Sequence, residues 1–202
     1  MQYLIISGDP KPEGMYDSIM QEIIRGASDS GAIVQTIDLE GIESCKVCKD
    51  GEGDCRNEHR CAFGMDGFDA IQQAVRQTDA WCMLIPMESG QPREVVLSFL
   101  ERMQRCESGQ FGELRNKPVL VVLFPQSPDN SLLTCLEHVD RFCRHTGITL
   151  FDYFSVNTWN LDYIKVSAYS ASKVMGFGRK TGTSGTRKRQ RSNEPNLQVG
   201  RQ

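Results

Sequence analysis

Residues 80–86 read Ala80-Trp81-Cys82-Met83-Leu84-Ile85-Pro86, an apolar run with no charged side chain and no helical period. A run of that length fits a strand, and a strand apolar at every position must be covered on both faces. Similar short runs stand at Met1–Ser7, Ile33–Leu39, Val119–Phe124 and Ile148–Val156. Between them apolar residues recur every three or four positions, the spacing of one buried helix face. Met15, Ile19, Ile23, Ile24 and Ala27 mark the first face, and Phe68, Ile71 and Val75 the second. Val95, Val96, Phe99, Leu100 and Met103 mark a third, with Pro92 expected in its first turn. Leu132, Leu133, Leu136, Val139 and Phe142 follow, with Asn130 or Ser131 as cap and Gly147 as stop. Leu161, Ile164, Ala168, Ala171 and Met175 complete the series.

Strict strand–helix alternation predicts an α/β domain: a three-layer, doubly wound fold around a five-stranded parallel sheet. Ligands of such folds lie beyond the carboxyl ends of the strands, where strand order reverses. The loops at that edge are Ser7–Gly14, Cys45–Asp66, Pro86–Gln91, Pro125–Asn130 and Asn157–Asn160.

The 202 residues fit one such domain, expected over residues 1–178. The net charge of -3 conceals an asymmetry. Residues 179–202 carry seven Lys/Arg against one Glu, which leaves 16 basic and 25 acidic residues before them. That last segment has no apolar period and is expected to be a disordered basic tail. Contact with nucleic acid or an acidic partner through Arg187-Lys188-Arg189 is its weak functional reading, against that of a solvated terminus. No apolar run approaches the roughly 20 residues of a membrane span. With no signal peptide in view, the expected compartment is the cytoplasm.

The loop after the second strand, C-K-V-C-K-D-G-E-G-D-C-R-N-E-H-R-C, sets Cys45, Cys48, Cys55 and Cys61 at intervals of two, six and five residues. Glycines and charged side chains between them give little to pack, so an exposed loop is expected. In a reducing compartment, clustered thiols bind a metal centre or do redox chemistry. Four converging thiolates suit an iron–sulfur cluster. Zinc held by Cys45, Cys48, Cys61 and either Cys55 or His59 is the competing metal reading, and free redox thiols the third. Cys82, Cys106, Cys135 and Cys143 fall on apolar strands or helix faces and read as core residues. His138 and His145 carry no catalytic pattern, and neither a nucleophile elbow nor a nucleotide-hydrolysing phosphate loop is present.

Taken together, four stretches resemble the flavodoxin-like NADPH-dependent FMN reductase family, and within it the iron–sulfur flavoproteins. S-G-D-P-K-P-E-G-M-Y-D-S at Ser7–Ser18 resembles a phosphate loop opening a helix, and I-E-S-C-K-V-C with the later Cys61 resembles the cluster loop. I-P-M-E-S-G with F-L-E-R at Phe99–Arg102 resembles the third loop and its helix, and L-R-N-K-P-V at Leu114–Val119 the lead into the next strand. The resemblance implies FMN held by Gly8, Asp9, Pro10, Lys11, Gly14 and Ser18 of the first loop, and by Pro86, Met87, Glu88, Ser89 and Gly90 of the third. It implies a [4Fe-4S] cluster on Cys45, Cys48, Cys55 and Cys61, an NAD(P)H or ferredoxin-type electron donor, and a homo-oligomer. A flavin-dependent electron-transfer oxidoreductase is thus the expected function; a zinc-stabilised or cofactor-free binding module is the alternative. Asp9 stands where the family has serine, and Glu88 where an aromatic ring is usual.

Overall fold

In the computed structural model, which describes residues 1–48, 53–108, 113–127 and 132–178, the apolar runs form strands in chain order. They are β1 (Gln2–Ser7), β2 (Ile33–Asp38), β3 (Ala80–Glu88), a two-residue β4 (Gln91–Pro92), β5 (Pro118–Phe124) and β6 (Thr149–Ser155). The helices are α1 (Gly14–Asp29), a one-turn α2 (Asp54–Asn57), α3 (Phe68–Gln77), α4 (Glu94–Glu107), α5 (Leu133–Thr146) and α6 (Leu161–Gly176). Five strands run parallel in the order β2-β1-β3-β5-β6, and β4 pairs antiparallel with β3. This is the flavodoxin-like, doubly wound arrangement expected, with its switch point between β1 and β3.

Alternation along the central strands builds two cores. Leu4, Ile6, Trp81, Met83, Ile85, Val121 and Leu123 face α3, α4 and α5, packing on Phe68, Phe99 and Phe142. Tyr3, Ile5, Cys82, Leu84, Leu120 and Val122 face α1 and α6, packing on Ile19, Ile23, Ile164 and Ala168. Cys82, Cys106, Cys135 and Cys143 are buried, as expected. Cover on both faces holds for β1, β3 and β5, whereas the edge strands β2 and β6 are half exposed. In β6 the register slips: Val119 faces Leu150 but Leu120 faces Asp152, so Phe151 is the extra residue of a bulge.

Two expectations change. Pro92 does not open α4; it pairs with Met87 in β4, and Glu88 pairs with Gln91. Ser89 (φ 50) and Gly90 (φ 79) are both left-handed, the geometry of a two-residue hairpin turn. The third loop is therefore a rigid hairpin, closed by Arg93 N–H donating to the Pro86 carbonyl at 3.0 Å. The expected α5 cap at Asn130 or Ser131 lies outside the described residues, as does the tail over 179–202, while Gly147 ends α5 with φ 74 as expected.

Candidate functional site

At the switch point β1 ends in Ser7, and Gly8 N–H donates to the Leu84 carbonyl at 3.0 Å. A Cβ on Gly8 would lie 2.6 Å from both Pro86 Cδ and Val96 Cγ2, so only glycine lets the first loop press against β3 and α4. The Ser7 hydroxyl donates to the Asp9 carbonyl (2.6 Å) and lies 2.8 Å from the Tyr16 hydroxyl, which also reaches the Leu84 carbonyl at 3.2 Å. Burial raises the Tyr16 phenol far above its ordinary value, against the opposing bond from Ser7. Tyr16 therefore acts as a neutral brace between α1 and β3, with its ring 4.4 Å from that of Phe124.

Asp9 turns back on its own loop. Its Oδ1 accepts the Lys11 N–H at 3.0 Å and lies 3.7 Å from Arg93 Nη1. Arg93 Nε in turn donates to Glu88 Oε1 at 2.8 Å. One arginine at the start of α4 thus ties the first loop to the hairpin. The Glu88 hydrogen bond holds its guanidinium above the ordinary value against partial burial, and the Asp9 charge assists. Glu13, at the amino end of α1, makes no side-chain cap bond, which leaves the first-turn N–H groups to an outside partner.

The expected cofactor residues divide accordingly. Gly8, Asp9, Pro86 and Glu88 are brought together around Arg93, while Pro10, Lys11, Gly14, Ser89 and Gly90 line the accessible rim. Ser18 lies in the second turn of α1, behind its amino end. Met87 is 1% exposed and belongs to the core, because strand alternation turns it inward.

Cys45, Cys48, Cys55 and Cys61 are all free and half-buried on the loop beyond β2. The loop is less exposed than expected, for Cys55 and Cys61 pack against the core beside α4. Burial raises the Cys55 thiol, and the neighbouring Cys48, Cys45 and Cys61 push it the same way. Among the described residues, however, no three His, Cys, Asp or Glu side chains are arranged to hold a metal ion. His59, the alternative zinc ligand, has Nδ1 3.1 Å from the Cys106 carbonyl.

Arg102, only 2% exposed, organises this loop. It donates to Asp66, to the carbonyls of Glu43 (3.0 Å) and Phe63 (2.9 Å), and to Cys61 Sγ (3.3 Å), with its guanidinium 4.2 Å above the Phe68 ring. Burial works against the Asp66 carboxyl's charge, but the Arg102 bond and backbone N–H groups outweigh it and hold the group below its ordinary value. A turn further along α4, buried Glu107 accepts from Gln72 (2.5 Å) and Arg76 (2.9 Å), and both donors also hold the His59 carbonyl.

Sequence reading missed Tyr16, Arg93 and Glu107 as organising residues. F-L-E-R contained Arg102, but nothing in its spacing gave its partners.

The model of the NADPH-dependent FMN reductases matches residues 1–160. The chain belongs to that family. Membership in the NADPH-dependent FMN reductases makes it an oxidoreductase. Among solved structures, a flavone reductase superposes with TM-score 0.66 at 16% identity over 87% of this chain, which spans only 62% of that protein. An FMN-dependent NADH-azoreductase from Bacillus anthracis str. Ames Ancestor, solved with FMN, gives 0.64 at 10% identity, covering 87% and 99% of the two chains. The NAD(P)H:quinone oxidoreductase of Methanothermobacter marburgensis gives 0.61 at 12%, covering 87% and 96%. At these identities the neighbours establish the shared fold. No curated protein sequence matches the chain.

Proposed function

We propose that this family member binds FMN at the β1/β3 switch point, takes reducing equivalents from NAD(P)H and passes them to a small redox-active acceptor. The carrying observation is that the Ser7–Gly14 loop, which leads into the uncapped amino end of α1, and the β3–β4 hairpin are tied together through Arg93 at the switch point. Free N–H groups at a helix start favour a phosphate, by direct donation and by the helix dipole. Gly8, Pro10, Lys11 and Gly14 would hold the phosphate end, with Ser18 at its periphery. Pro86, Ser89 and Gly90 would flank the ring. Asp9 fits beside an anion because its charge is engaged by Lys11 N–H and Arg93 rather than left facing the phosphate. Glu88 leaves the hairpin without an aromatic lid, and Arg93 holds it to one side.

FMN, when bound, accepts hydride from a reduced nicotinamide and releases electrons singly or in pairs. The chain's own part is positioning. The braced Ser7–Tyr16–Leu84 contact fixes the loop, and the hairpin fixes the opposite wall. No side chain is assigned a proton-transfer role. Family membership and the FMN-bound neighbour support this reading.

The iron–sulfur reading of Cys45, Cys48, Cys55 and Cys61 rests on their spacing and the family resemblance. Their present arrangement supplies no ready tetrad, so no electron-transfer step is routed through them. A ferredoxin-type donor shares that status.

The test is a fluorescence titration of purified protein with FMN, followed by anaerobic addition of NADPH or NADH. One FMN bound per chain and bleaching of the flavin band by either nucleotide is expected. Failure to bind FMN would overturn the proposal. Iron and acid-labile sulfide measured on anaerobically prepared protein decide the cysteine loop separately.

A further inference from the structure

At the amino edge of the sheet, opposite the switch point, the end of α6, the start of β6 and the turn leading into β5 line an open cavity of about 680 Å³. That volume lies within the roughly 300–1,000 Å³ of small-molecule sites. Helix α6 and strand β6 supply its apolar side: Phe151, the extra residue of the bulge, with Val174, Met175 and Phe177. Phe151 is 42% exposed, Val174 58% and Phe177 60%, so large apolar side chains keep surface in water around one cavity. Scattered singly, such exposure is ordinary; gathered on a concave wall, it is area that a ligand removes from water.

The polar side is the turn Arg115–Lys117, and the backbone holds it in place. Leu114 before it is fully buried, Asn116 adopts φ 64 and donates its N–H to the Gly147 carbonyl at 2.8 Å, and Thr149 N–H donates to the Lys117 carbonyl at 2.9 Å. Two of the charged groups serve the fold. Lys117 Nζ donates to the Val75 (3.4 Å) and Arg76 carbonyls at the end of α3, and Asp79 Oδ2 accepts the Gln2 N–H at 2.8 Å. The Asn116 amide and the Thr149 hydroxyl make no hydrogen bond to another described residue, and both line the cavity. Arg115 and Lys117 against Asp79 give the lining a net positive charge, and the sequence continues past Gly178 into Arg179-Lys180.

We propose that this cavity binds an aliphatic carboxylate of medium chain length. The alkyl chain lies against Phe151, Val174 and Phe177, and the carboxylate accepts from Arg115, with Asn116 and Thr149 as neutral donors beside it. A guanidinium offers five N–H donors in a fork that matches a carboxylate, so Arg115 can take one alongside a protein partner. The site is separate from the one assigned to FMN, since strands of six or seven residues put about 20 Å of sheet between the two edges. The chain's own last segment is a poor occupant. Residues 179–202 carry seven basic side chains, which the lining's charge repels, and only Leu197 and Val199 as apolar ones beyond Pro195.

The test is isothermal titration calorimetry of the full chain with octanoate and with 1-octanol, which has the same tail without the charge. Saturable binding of one octanoate per chain is expected, at least about 10-fold tighter than the alcohol, the worth of one charge-assisted hydrogen bond. Arg115→Gln is expected to erase that preference by weakening octanoate alone. Val174→Glu, which sets a carboxylate on the apolar side, is expected to weaken octanoate at least about 10-fold. Circular dichroism confirms that each variant folds. The wild-type titration repeated with FMN present needs no variant and locates the site: octanoate affinity is expected to stay the same. The titration without FMN stands whether or not FMN binds, so the two readings fail separately. No saturable octanoate binding by the wild type, no preference over octanol, or an unchanged preference in folded Arg115→Gln overturns the proposal. Competition between octanoate and FMN overturns it too, for the ligand then sits at the switch point. So does octanoate binding that appears only after truncation at Gly178, for then the last segment occupies the cavity.

Discussion

Asp9 carries a negative charge into a loop that offers N–H groups to an anion, and Arg93 offsets it at 3.7 Å. Asp9→Ser removes the charge and leaves Arg93 held by Glu88 alone, free to attract a phosphate. FMN is expected to bind several-fold tighter, on the order of 1 kcal/mol for a partly exposed pair, as read by flavin fluorescence titration. Weaker binding by the serine variant would place the phosphate elsewhere. Arg102 is the opposite case, a buried cation whose loss leaves Asp66 without its charge partner and takes a donor from the Glu43 and Phe63 carbonyls. Arg102→Met is expected to cost about 3–5 kcal/mol in urea unfolding. The same pair sets an acid limb. Because the folded Asp66 carboxyl is lowered, its stabilisation is fully present above the unfolded value of about 3.9 and is lost as pH falls through the lower folded value. Asp66→Asn should therefore be less stable than the wild type at neutral pH and lose less on acidification; parallel stability curves would contradict this origin.

At the scale of elements, α1 and α6 approach closely enough that a Cβ on Gly26 would run into the Tyr169 carbonyl and come within 2.5 Å of Ser172 Oγ. Gly26→Ala would raise helix propensity by about 1 kcal/mol in an isolated α1. Here overpacking of about 1–3 kcal/mol should win, giving a net loss in thermal unfolding. An unchanged or raised midpoint would mean that the two helices can separate. The strands and the longer helices were legible in the sequence because β1, β3 and β5 are apolar through their middles and each of those helices shows one apolar stripe. The hairpin was not. Pro92 matches a helix first turn as well as a strand edge, and only Ser89 and Gly90 adopting positive φ together separates the two. The site was legible as an edge of loops, since topology alone assigns loops to the carboxyl ends. Its organisation was not, because Arg93, Arg102 and Glu107 act on residues distant in sequence. Met87 is buried for a related reason: the strand runs on past Pro86, so alternation continues and turns that side chain inward.

Over the whole molecule, charge is divided between an acidic body and a basic last segment. Residues 179–202 offer little to bury, so truncation after Gly178 should leave the melting temperature essentially unchanged. A loss of several degrees would show that the segment docks on the body. No helix among the described residues is long and apolar enough to cross a membrane. Helix α4 joins otherwise separate regions. Arg93 at its start meets Asp9 and Glu88, Ser98 lies 3.2 Å from Ser44, Arg102 grips Cys61 and Asp66, and Glu107 at its end holds Gln72 and Arg76. From Arg93 to Arg102 a helix rises about 13 Å in a single stiff piece. Such a rod behaves as a lever: a ligand that draws Arg93 toward itself tilts the far end, where the cysteine loop hangs. The rate at which a thiol reagent modifies Cys45, Cys48, Cys55 and Cys61 should therefore change when FMN is added, although the two regions share no ligand. Equal rates with and without FMN would mean that the rod stays still and each end works alone.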